Sequence, residues 1–204
     1  MRGNRRARTS ICTLVLVRHA PSHGAGKFIG QQDEPLSTAG QQQLRELVRK
    51  LGRFRFHAVF TSDLTRAIET ARPVAERQQL ELQIRPDLRE MDFGRWQGLS
   101  WRQIRRRDPR AADRWLKHFA SQPIPGGERF RQFKRRIKRG LKTIVGANRG
   151  RCVLVVTHAG VIRVALADAL GVKDENIFRL AQDHCALNVV EYSSGSPTVT
   201  CLNA

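Results

Sequence analysis

Two Arg and two His residues stand at or just beyond the ends of apolar segments of the chain. The run Thr13–Val17 leads directly into Arg18 and His19. His158 follows a second apolar run, and Arg66 lies in the first turn of the helix predicted after a third. Because the ligands of a parallel α/β sheet bind beyond the carboxyl ends of its strands, we expect these four side chains to meet in one pocket.

These residue types suit the transfer of a phosphoryl group. Guanidinium groups match the oxygens of a phosphoryl group in bidentate fashion and stay charged at every relevant pH. A neutral imidazole can attack phosphorus and carry the group covalently, while a second, protonated imidazole stabilises the charge on the oxygens. Glu90, close to Asp87 and Asp92 in an irregular segment, is the candidate proton donor to the leaving oxygen. Since two arginines would neutralise the phosphoryl group, we expect no metal and no cofactor.

The apolar pattern predicts the elements that must position these side chains. The predicted strands are residues 12–17, 57–62, 80–84, 152–157, 185–192 and 198–202. The predicted helices run from the Ser37 cap to Leu51 and over 64–78, 101–107, 110–119, 127–147 and 160–171. Strands that alternate with helices predict an α/β three-layer sandwich with a largely parallel central sheet. A helical insert at about 100–147 would lie over the active-site edge.

Three local features refine the helix boundaries. Ser62 or Asp63 is placed to cap the helix 64–78, and Pro73 is expected to kink that helix. Gly171 is placed to close the helix that follows His158.

Length and composition favour one domain over residues 11–204, preceded by a basic tail, 1–10, that we expect to be disordered. The apolar runs are too short to cross a bilayer. The basic start of the chain imitates a signal peptide but lacks a small-x-small cleavage site, so we expect a cytoplasmic protein with no membrane partner. Four cysteines without ligand spacing are expected to be reduced apolar residues: Cys12, Cys152, Cys185 and Cys201.

The charge balance is far from neutral: 37 Lys and Arg against 18 Asp and Glu give a net charge of +19. Such a balance favours anionic partners, namely a small phosphorylated substrate, nucleic acid or an acidic surface. A merely solvated basic face is the alternative. Nine Phe, three Trp and one Tyr, mostly in apolar patterns, argue against a dedicated nucleic-acid module, so nucleic acid is the less favoured partner. The oligomeric state does not follow from the sequence.

Six ordered segments resemble the motifs of the histidine phosphatase superfamily, also called the phosphoglycerate mutase-like family. They are LVRHA (16–20), DEPLSTAGQQQ (33–43), TSDLTRAIETA (61–71), LREMDFGRWQG (88–98), PGGERF (125–130) and VVTHAGVIR (155–163). The resemblance implies that His19 becomes phosphohistidine and that Arg18 and Arg66 clamp the phosphoryl group. It further implies that His158 completes the pocket and that Glu90 acts as proton donor and then as base.

The loop after His19 departs from the family pattern. The family continues with Gly-Glu-Thr and then with an Asn and a second Arg, whereas this chain continues with APS and has Lys27 as its only loop cation. Ser22, in place of the Thr hydroxyl, Lys27 and Gln31 are the candidate substrate-binding residues. The shortened loop is similar to that of the branch containing the α-ribazole phosphatases of cobalamin biosynthesis.

The expected function is therefore a metal-independent phosphomonoesterase for a small phosphorylated metabolite, with α-ribazole phosphate as the candidate substrate. A phosphoglycerate mutase-type phosphotransferase is the first alternative, although the short segment between the third and fourth strands favours hydrolysis. A basic protein that binds nucleic acid or an acidic surface is the alternative of a different class.

Overall fold

The apolar run before His19 forms a strand that is covered on both faces. This strand, β1, spans Cys12–Arg18 in a computed structural model that describes residues 11–204. Leu14 and Leu16 pack into one hydrophobic cluster, and Val15 and Val17 into the other. A continuous apolar run is typical of a parallel strand between two layers of helices. The tail 1–10, predicted to be disordered, lies outside the described residues.

Over residues 11–204 the sheet has six strands in the order β3-β2-β4-β1-β5-β6. The strands after β1 are β2 Ala58–Thr61, β3 Leu82–Ile84, β4 Cys152–Thr157, β5 Leu187–Tyr192 and β6 Thr198–Cys201. Strands β3, β2, β4 and β1 are parallel, whereas β5 and β6 are antiparallel to their neighbours. The predicted, largely parallel sheet is confirmed.

Helices cover both faces of the sheet. Their bounds are α1 Thr38–Leu51, α2 Thr65–Arg77, α3 Trp101–Arg107, α4 Pro109–His118, α5 Phe130–Ala147 and α6 Ala159–Leu170. Short 3-10 helices lie at Pro86–Leu88, Gly94–Trp96 and Asp174–Arg179. Helices α1 and α2 pack on one face, and α4, α5 and α6 pack on the other. The insert predicted at about 100–147 thus consists of α3, α4 and α5.

The helix ends follow local chemistry in two places and depart from the prediction in a third. Ser37 Oγ accepts a hydrogen bond from the Gly40 amide and caps α1, and Gly171 closes α6 at a φ of +66°. The predicted cap of α2 is wrong, because Leu64 is the residue before the helix and the Thr65 amide donates to Asp33 Oδ1 at 2.7 Å. The Ser62 hydroxyl is hydrogen-bonded to His158 instead.

Three further features of the helix boundaries differ from the prediction. The Asp63 carboxylate binds the Arg89 guanidinium, so it is not available to the backbone of α2. Helix α2 continues through Pro73 to Arg77 without ending. Helix α5 begins at Phe130 rather than at 127, because the turn of Gly126 and Gly127 precedes it.

Across residues 11–204, no helix combines the length and the apolar character that a membrane crossing requires. The cytoplasmic location expected from the sequence stays a prediction.

Two helical glycines provide a matched test of the packing. A Cβ on Gly40 would overlap the Pro21 carbonyl oxygen, whereas a Cβ on Gly146 would have no atom within 4 Å. Gly40→Ala is expected to lower the free energy of unfolding by about 1–3 kcal/mol through overpacking. Gly146→Ala should raise it by about 0.4–1 kcal/mol, since it removes freedom from the unfolded chain. Urea unfolding measures both, and equal effects of the two changes would contradict this packing.

Candidate active site

Strand pairing places His19 and His158 side by side. Arg18, the last residue of β1, pairs with Thr157, the last residue of β4, so the next residue of each strand leaves the sheet at the same level. The His19 amide donates to the Thr157 carbonyl at 2.8 Å, and the two imidazole centroids lie 5.1 Å apart. The sheet edge therefore brings together the two histidines that the sequence predicted would meet.

The hydrogen bonds of His19 fix its tautomer. Its Nδ1 lies 2.7 Å from the Ala20 carbonyl oxygen, which can only accept, so Nδ1 carries the proton. The other nitrogen, Nε2, then keeps a lone pair and accepts a hydrogen bond from Arg66 Nε at 3.3 Å. An imidazole held in this way presents an unprotonated nitrogen to the site.

Arg66 is buried without a carboxylate partner. It is 2% exposed, and its Nη1 and Nη2 donate to the carbonyls of Gln32 at 2.8 Å and Gly30 at 2.6 Å. Within residues 11–204 it takes part in no ion pair. The loop carbonyls hold the guanidinium in place but leave its charge for an anion to compensate.

Arg18 is held by a residue that the sequence analysis missed. Its Nη1 donates to the Gln182 carbonyl at 2.6 Å, and its Nη2 donates to His184 Nε2 at 3.1 Å. The Nδ1 of His184 in turn donates to the His19 carbonyl at 2.9 Å. His184 precedes β5, which runs antiparallel to β1, and only that strand direction brings it to the site.

Two buried polar atoms of the site have no partner among the described residues: Arg18 Nε and His158 Nδ1. The opposite nitrogen of His158, Nε2, is hydrogen-bonded to the Ser62 hydroxyl at 2.8 Å. Buried polar groups are nearly always hydrogen-bonded, so two unpaired atoms on residues that line one cavity point to a polar ligand. Arg18, Arg66 and the histidines line this cavity of about 80 Å³.

Burial governs the protonation of the histidines. It lowers the pKa of His19 well below the ordinary value, and the nearby charge of Arg66 lowers it further. Burial likewise lowers the pKa of His158, with His19 and Arg66 adding to the effect. Both imidazoles are therefore neutral in these surroundings. Without a bound anion, burial thus favours neutral His158, and the protonated second histidine expected during phosphoryl transfer stays a prediction.

The Glu90 carboxylate lies on the wall of the same cavity. Its Oε1 accepts from the Met91 amide at 2.8 Å, and its Oε2 accepts from the Gly160 amide at 2.9 Å. A Cβ on Gly160 would overlap Oε1, so this approach requires glycine at the start of α6. Glu90 thus reaches the site predicted for it, at a position fixed by two backbone donors.

The three candidate substrate-binding residues are placed differently. Ser22 and Lys27 line the small cavity, Ser22 as a buried residue and Lys27 as an exposed one. Gln31 is not among the lining residues. Its side-chain Nε2 donates to the Glu90 carbonyl at 3.2 Å, and its Oε1 faces Arg89. Gln31 therefore supports the segment of Glu90 from behind.

A second cavity, of about 240 Å³, adjoins the first and is largely aromatic. Its lining includes Arg18 and Glu90 from the site together with Phe28, Phe93, Trp115, Phe119 and Phe178. The Trp115 Nε1 is buried without a partner among the described residues. Helix α4 of the insert contributes Trp115, so the insert does cover the active-site edge, as expected.

Arg163 brings a positive charge into the aromatic cavity. Its Nε donates to the Leu180 carbonyl at 2.9 Å, and its guanidinium carbon lies 5.6 Å from the ring centroid of Phe178. Arg163 is the last residue of the motif at 155–163, and the sequence indicated no role for it. Its place one helical turn after His158 was the available signal.

Within residues 11–204, no group of three His, Cys, Asp or Glu side chains is arranged to hold a metal ion. The site instead offers two guanidiniums, three imidazoles and one carboxylate around a small cavity. This fold and this set of groups define an α/β protein with an anion-binding site at the carboxyl ends of its parallel strands.

Comparison with known proteins then identifies the family. Residues 14–204 match the histidine phosphatase superfamily (branch 1), and the chain belongs to this family. A bifunctional protein of Mycobacterium tuberculosis is 33% identical over 97% of the chain, which spans only 55% of that relative's length. A metal-independent phosphoserine phosphatase of Arabidopsis thaliana is 34% identical, covering 76% of this chain and 67% of the relative.

A solved structure extends the likeness to the whole fold. The crystal structure of the alpha-ribazole phosphatase from Shigella flexneri has a TM-score of 0.85 and 27% identity, covering 94% of this chain and 96% of that one. The resemblance read from the six sequence segments, including the likeness to the α-ribazole phosphatase branch, is confirmed.

The buried neutral histidines predict an acid-sensitive fold. Below a pH of about 6.5 the unfolded chain binds protons at His19 and His158 that the folded chain does not bind. The free energy of unfolding should therefore fall as pH is lowered from 7.5 to 5.5, by up to about 1.4 kcal/mol per pH unit for each proton. Urea unfolding across this range measures the slope.

The double variant His19→Gln with His158→Gln should show a shallower slope than the wild type. The same pair of changes at the exposed His57 and His118 is the control. A slope that the first double variant leaves unaltered would contradict the neutral, buried assignment.

Proposed function

We propose that this chain is a metal-independent phosphomonoesterase that hydrolyses a small phosphorylated metabolite through a phosphohistidine at Nε2 of His19. One observation carries the proposal: an imidazole with an unprotonated Nε2 lies beside the buried guanidinium of Arg66 and the partly buried guanidinium of Arg18. Neither guanidinium takes part in an ion pair among residues 11–204. Membership of the histidine phosphatase superfamily supports the same chemistry.

In the first half of the reaction, Nε2 of His19 attacks phosphorus and forms an N–P bond while the ester P–O bond breaks. The leaving oxygen takes a proton from the Glu90 carboxyl group. Arg18 and Arg66 hold the phosphoryl oxygens, and the unpaired Arg18 Nε and His158 Nδ1 are two further groups for them. The proton stays on Nδ1 of His19, which donates it in a hydrogen bond to the Ala20 carbonyl throughout and so keeps Nε2 aimed at phosphorus.

In the second half, water attacks the phosphohistidine. Glu90 takes a proton from this water as the N–P bond breaks, and inorganic phosphate and neutral His19 are regenerated. The backbone donors of Met91 and Gly160 keep the carboxyl group at one position for both steps. One residue can therefore serve as acid and then as base without a change of place.

The aromatic cavity would hold the organic part of the substrate. A flat ring can pack against Phe93, Trp115 and Phe178, with Trp115 Nε1 as a hydrogen-bond donor to its polar edge. α-Ribazole phosphate, a benzimidazole nucleotide, fits this lining better than phosphoserine, which would leave the aromatic surface uncovered. The similarity to the alpha-ribazole phosphatase from Shigella flexneri supports this choice.

A phosphoglycerate mutase-type reaction needs the phosphoryl group to return to a second hydroxyl of a small, highly charged intermediate. The aromatic lining would bind such an intermediate weakly, since among the described residues Arg163 is the one cation that it adds to those of the phosphate cavity. Hydrolysis is therefore the favoured outcome, and dependence on bisphosphoglycerate distinguishes the two.

The role of His19 can be tested with para-nitrophenyl phosphate in the presence of a chelator. His19→Ala should lower kcat by on the order of 10³-fold or more, because the reaction loses its nucleophile. Wild-type protein quenched during turnover of labelled substrate should carry an acid-labile, base-stable label that the variant lacks. His57→Ala, an exposed change, is the control. Undiminished turnover or undiminished labelling in His19→Ala would contradict the assignment.

The substrate class can be tested by comparing α-ribazole phosphate, phosphoserine and 3-phosphoglycerate, the last with and without bisphosphoglycerate. We expect kcat/KM to be highest for α-ribazole phosphate. Phe178→Ala should raise its KM about tenfold through lost apolar contact, with little change in kcat. Leu116→Ala, an exposed apolar residue of α4 outside the cavity, should change neither.

A preference for phosphoserine would overturn the substrate assignment and leave the phosphatase intact. Turnover of phosphoglycerate only with bisphosphoglycerate would overturn hydrolysis in favour of the mutase reaction.

A further inference from the structure

A large basic concavity lies along α5, away from the phosphate site. It has a volume of about 1240 Å³ and is bounded by α5, by one side of α6 and by the turn at 192–195. We call it the α5 groove. It shares no lining residue with the cavity of His19, Arg18 and Arg66. The proposed phosphatase activity therefore leaves it without a role.

One face of α5 supplies most of the charge of the groove. The basic lining residues are Arg131, Lys134, Arg135, Lys138, Arg139, Lys142 and, just beyond the helix, Arg149. The six on α5 are related by steps of three or four residues along one face of the helix, and the 12 residues from Arg131 to Lys142 span about 16 Å. They form a row of cations of the kind that could follow an extended polyanion.

This charge is only partly compensated. Lys134 pairs with Asp174 at 2.5 Å, and Lys138 pairs with Asp168 at 2.6 Å. In the part of the chain that the structure describes, the other five basic residues of the groove take part in no ion pair. Unpaired like charges at this density favour an anionic partner.

The helix carries this charge at a cost to its own stability. Arg131, Arg135 and Arg139 succeed one another at i, i+4 and i+8 on one exposed face. Like charges at this spacing repel each other and destabilise a helix. Packing does not require them, since the buried stripe of α5 consists of other residues, such as Phe133 and Ile137. Neither packing nor the stability of the helix accounts for their arrangement.

The floor of the groove is apolar, and this narrows the choice of partner. Leu141, Val145, Val164 and Tyr192 line it between the basic walls. Single-stranded nucleic acid combines a row of phosphates with flat, exposed bases, which matches basic walls over an apolar floor. Four of the five unpaired cations are arginines, whose planar fork binds phosphate in bidentate fashion.

Other partners fit less well. A second copy of the chain cannot meet this face symmetrically, because the two rows of cations would oppose each other. A flat bilayer surface does not enter a concavity. An acidic peptide would satisfy the cations but has no regular series of flat groups for the floor.

We propose that the α5 groove binds single-stranded nucleic acid, with phosphates on the basic residues of α5 and bases against the apolar floor.

Fluorescence anisotropy of a labelled 12-nucleotide single strand, with the full chain, tests the proposal. Arg131, Arg135, Arg139 and Lys142 are changed together to Glu, and in a second variant to Gln, which guards against misfolding. The control changes Arg45, Lys50, Arg55 and Arg72 to Glu, four exposed residues on the opposite side of the sheet. Hydrolysis of para-nitrophenyl phosphate should be unchanged in all three, since none of these residues lines the phosphate cavity.

We expect both groove variants to bind the oligonucleotide at least tenfold more weakly than the wild type, and the control to bind much better than the groove Glu variant. The dependence of log K on log salt should become shallower by up to about 3 in the groove variants, as four phosphate contacts are lost.

Several results would overturn the proposal. Equal weakening by the groove and control Glu variants would assign binding to net charge alone. Duplex bound as tightly as the single strand would remove the role of the bases. Groove-dependent binding of poly-glutamate or of anionic vesicles, without binding of the oligonucleotide, would assign the groove to an acidic protein or to a membrane instead.

Discussion

The guanidinium of Arg66, enclosed by the loop at 30–32, is the interaction on which the rest of the site depends. A buried charge is costly unless something compensates it, and here the carbonyls of Gly30 and Gln32 do so only in part. Its uncompensated charge helps to keep His19 neutral and makes the cavity receptive to an anion. A bound phosphoryl group would supply the negative charge that no ion pair of Arg66 provides among the described residues.

The sheet converts that local arrangement into a site. Pairing of Arg18 with Thr157 sets His19 level with His158, and the antiparallel return of β5 brings His184 under Arg18. These side chains enter the same cavity because each belongs to a residue at the same edge of the sheet. The insert then adds Trp115 and its aromatic neighbours above the edge, where the organic part of a ligand would lie.

The large positive charge of the chain is distributed between two kinds of place. Arg66 is buried and Arg18 partly buried, and both line one small cavity, whereas the cations of α5 are mostly exposed, numerous and spread along a groove. The first arrangement suits one phosphoryl group and the second suits a chain of them. Composition alone does not distinguish these cases, since every cation, buried or exposed, adds one unit to the net charge of +19.

The sequence by itself determined the strands that end at Arg18 and Thr157, the largely parallel sheet and the meeting of His19, Arg66 and His158. These follow from short apolar runs and from the general geometry of parallel strands, which local patterns encode. Tertiary structure alone decided the place of His184, the neutral state of His158 and the bond between Ser62 and His158 in place of a helix cap. The physical reason is that strand direction and burial arise from contacts between segments far apart in the chain, so no local pattern contains them.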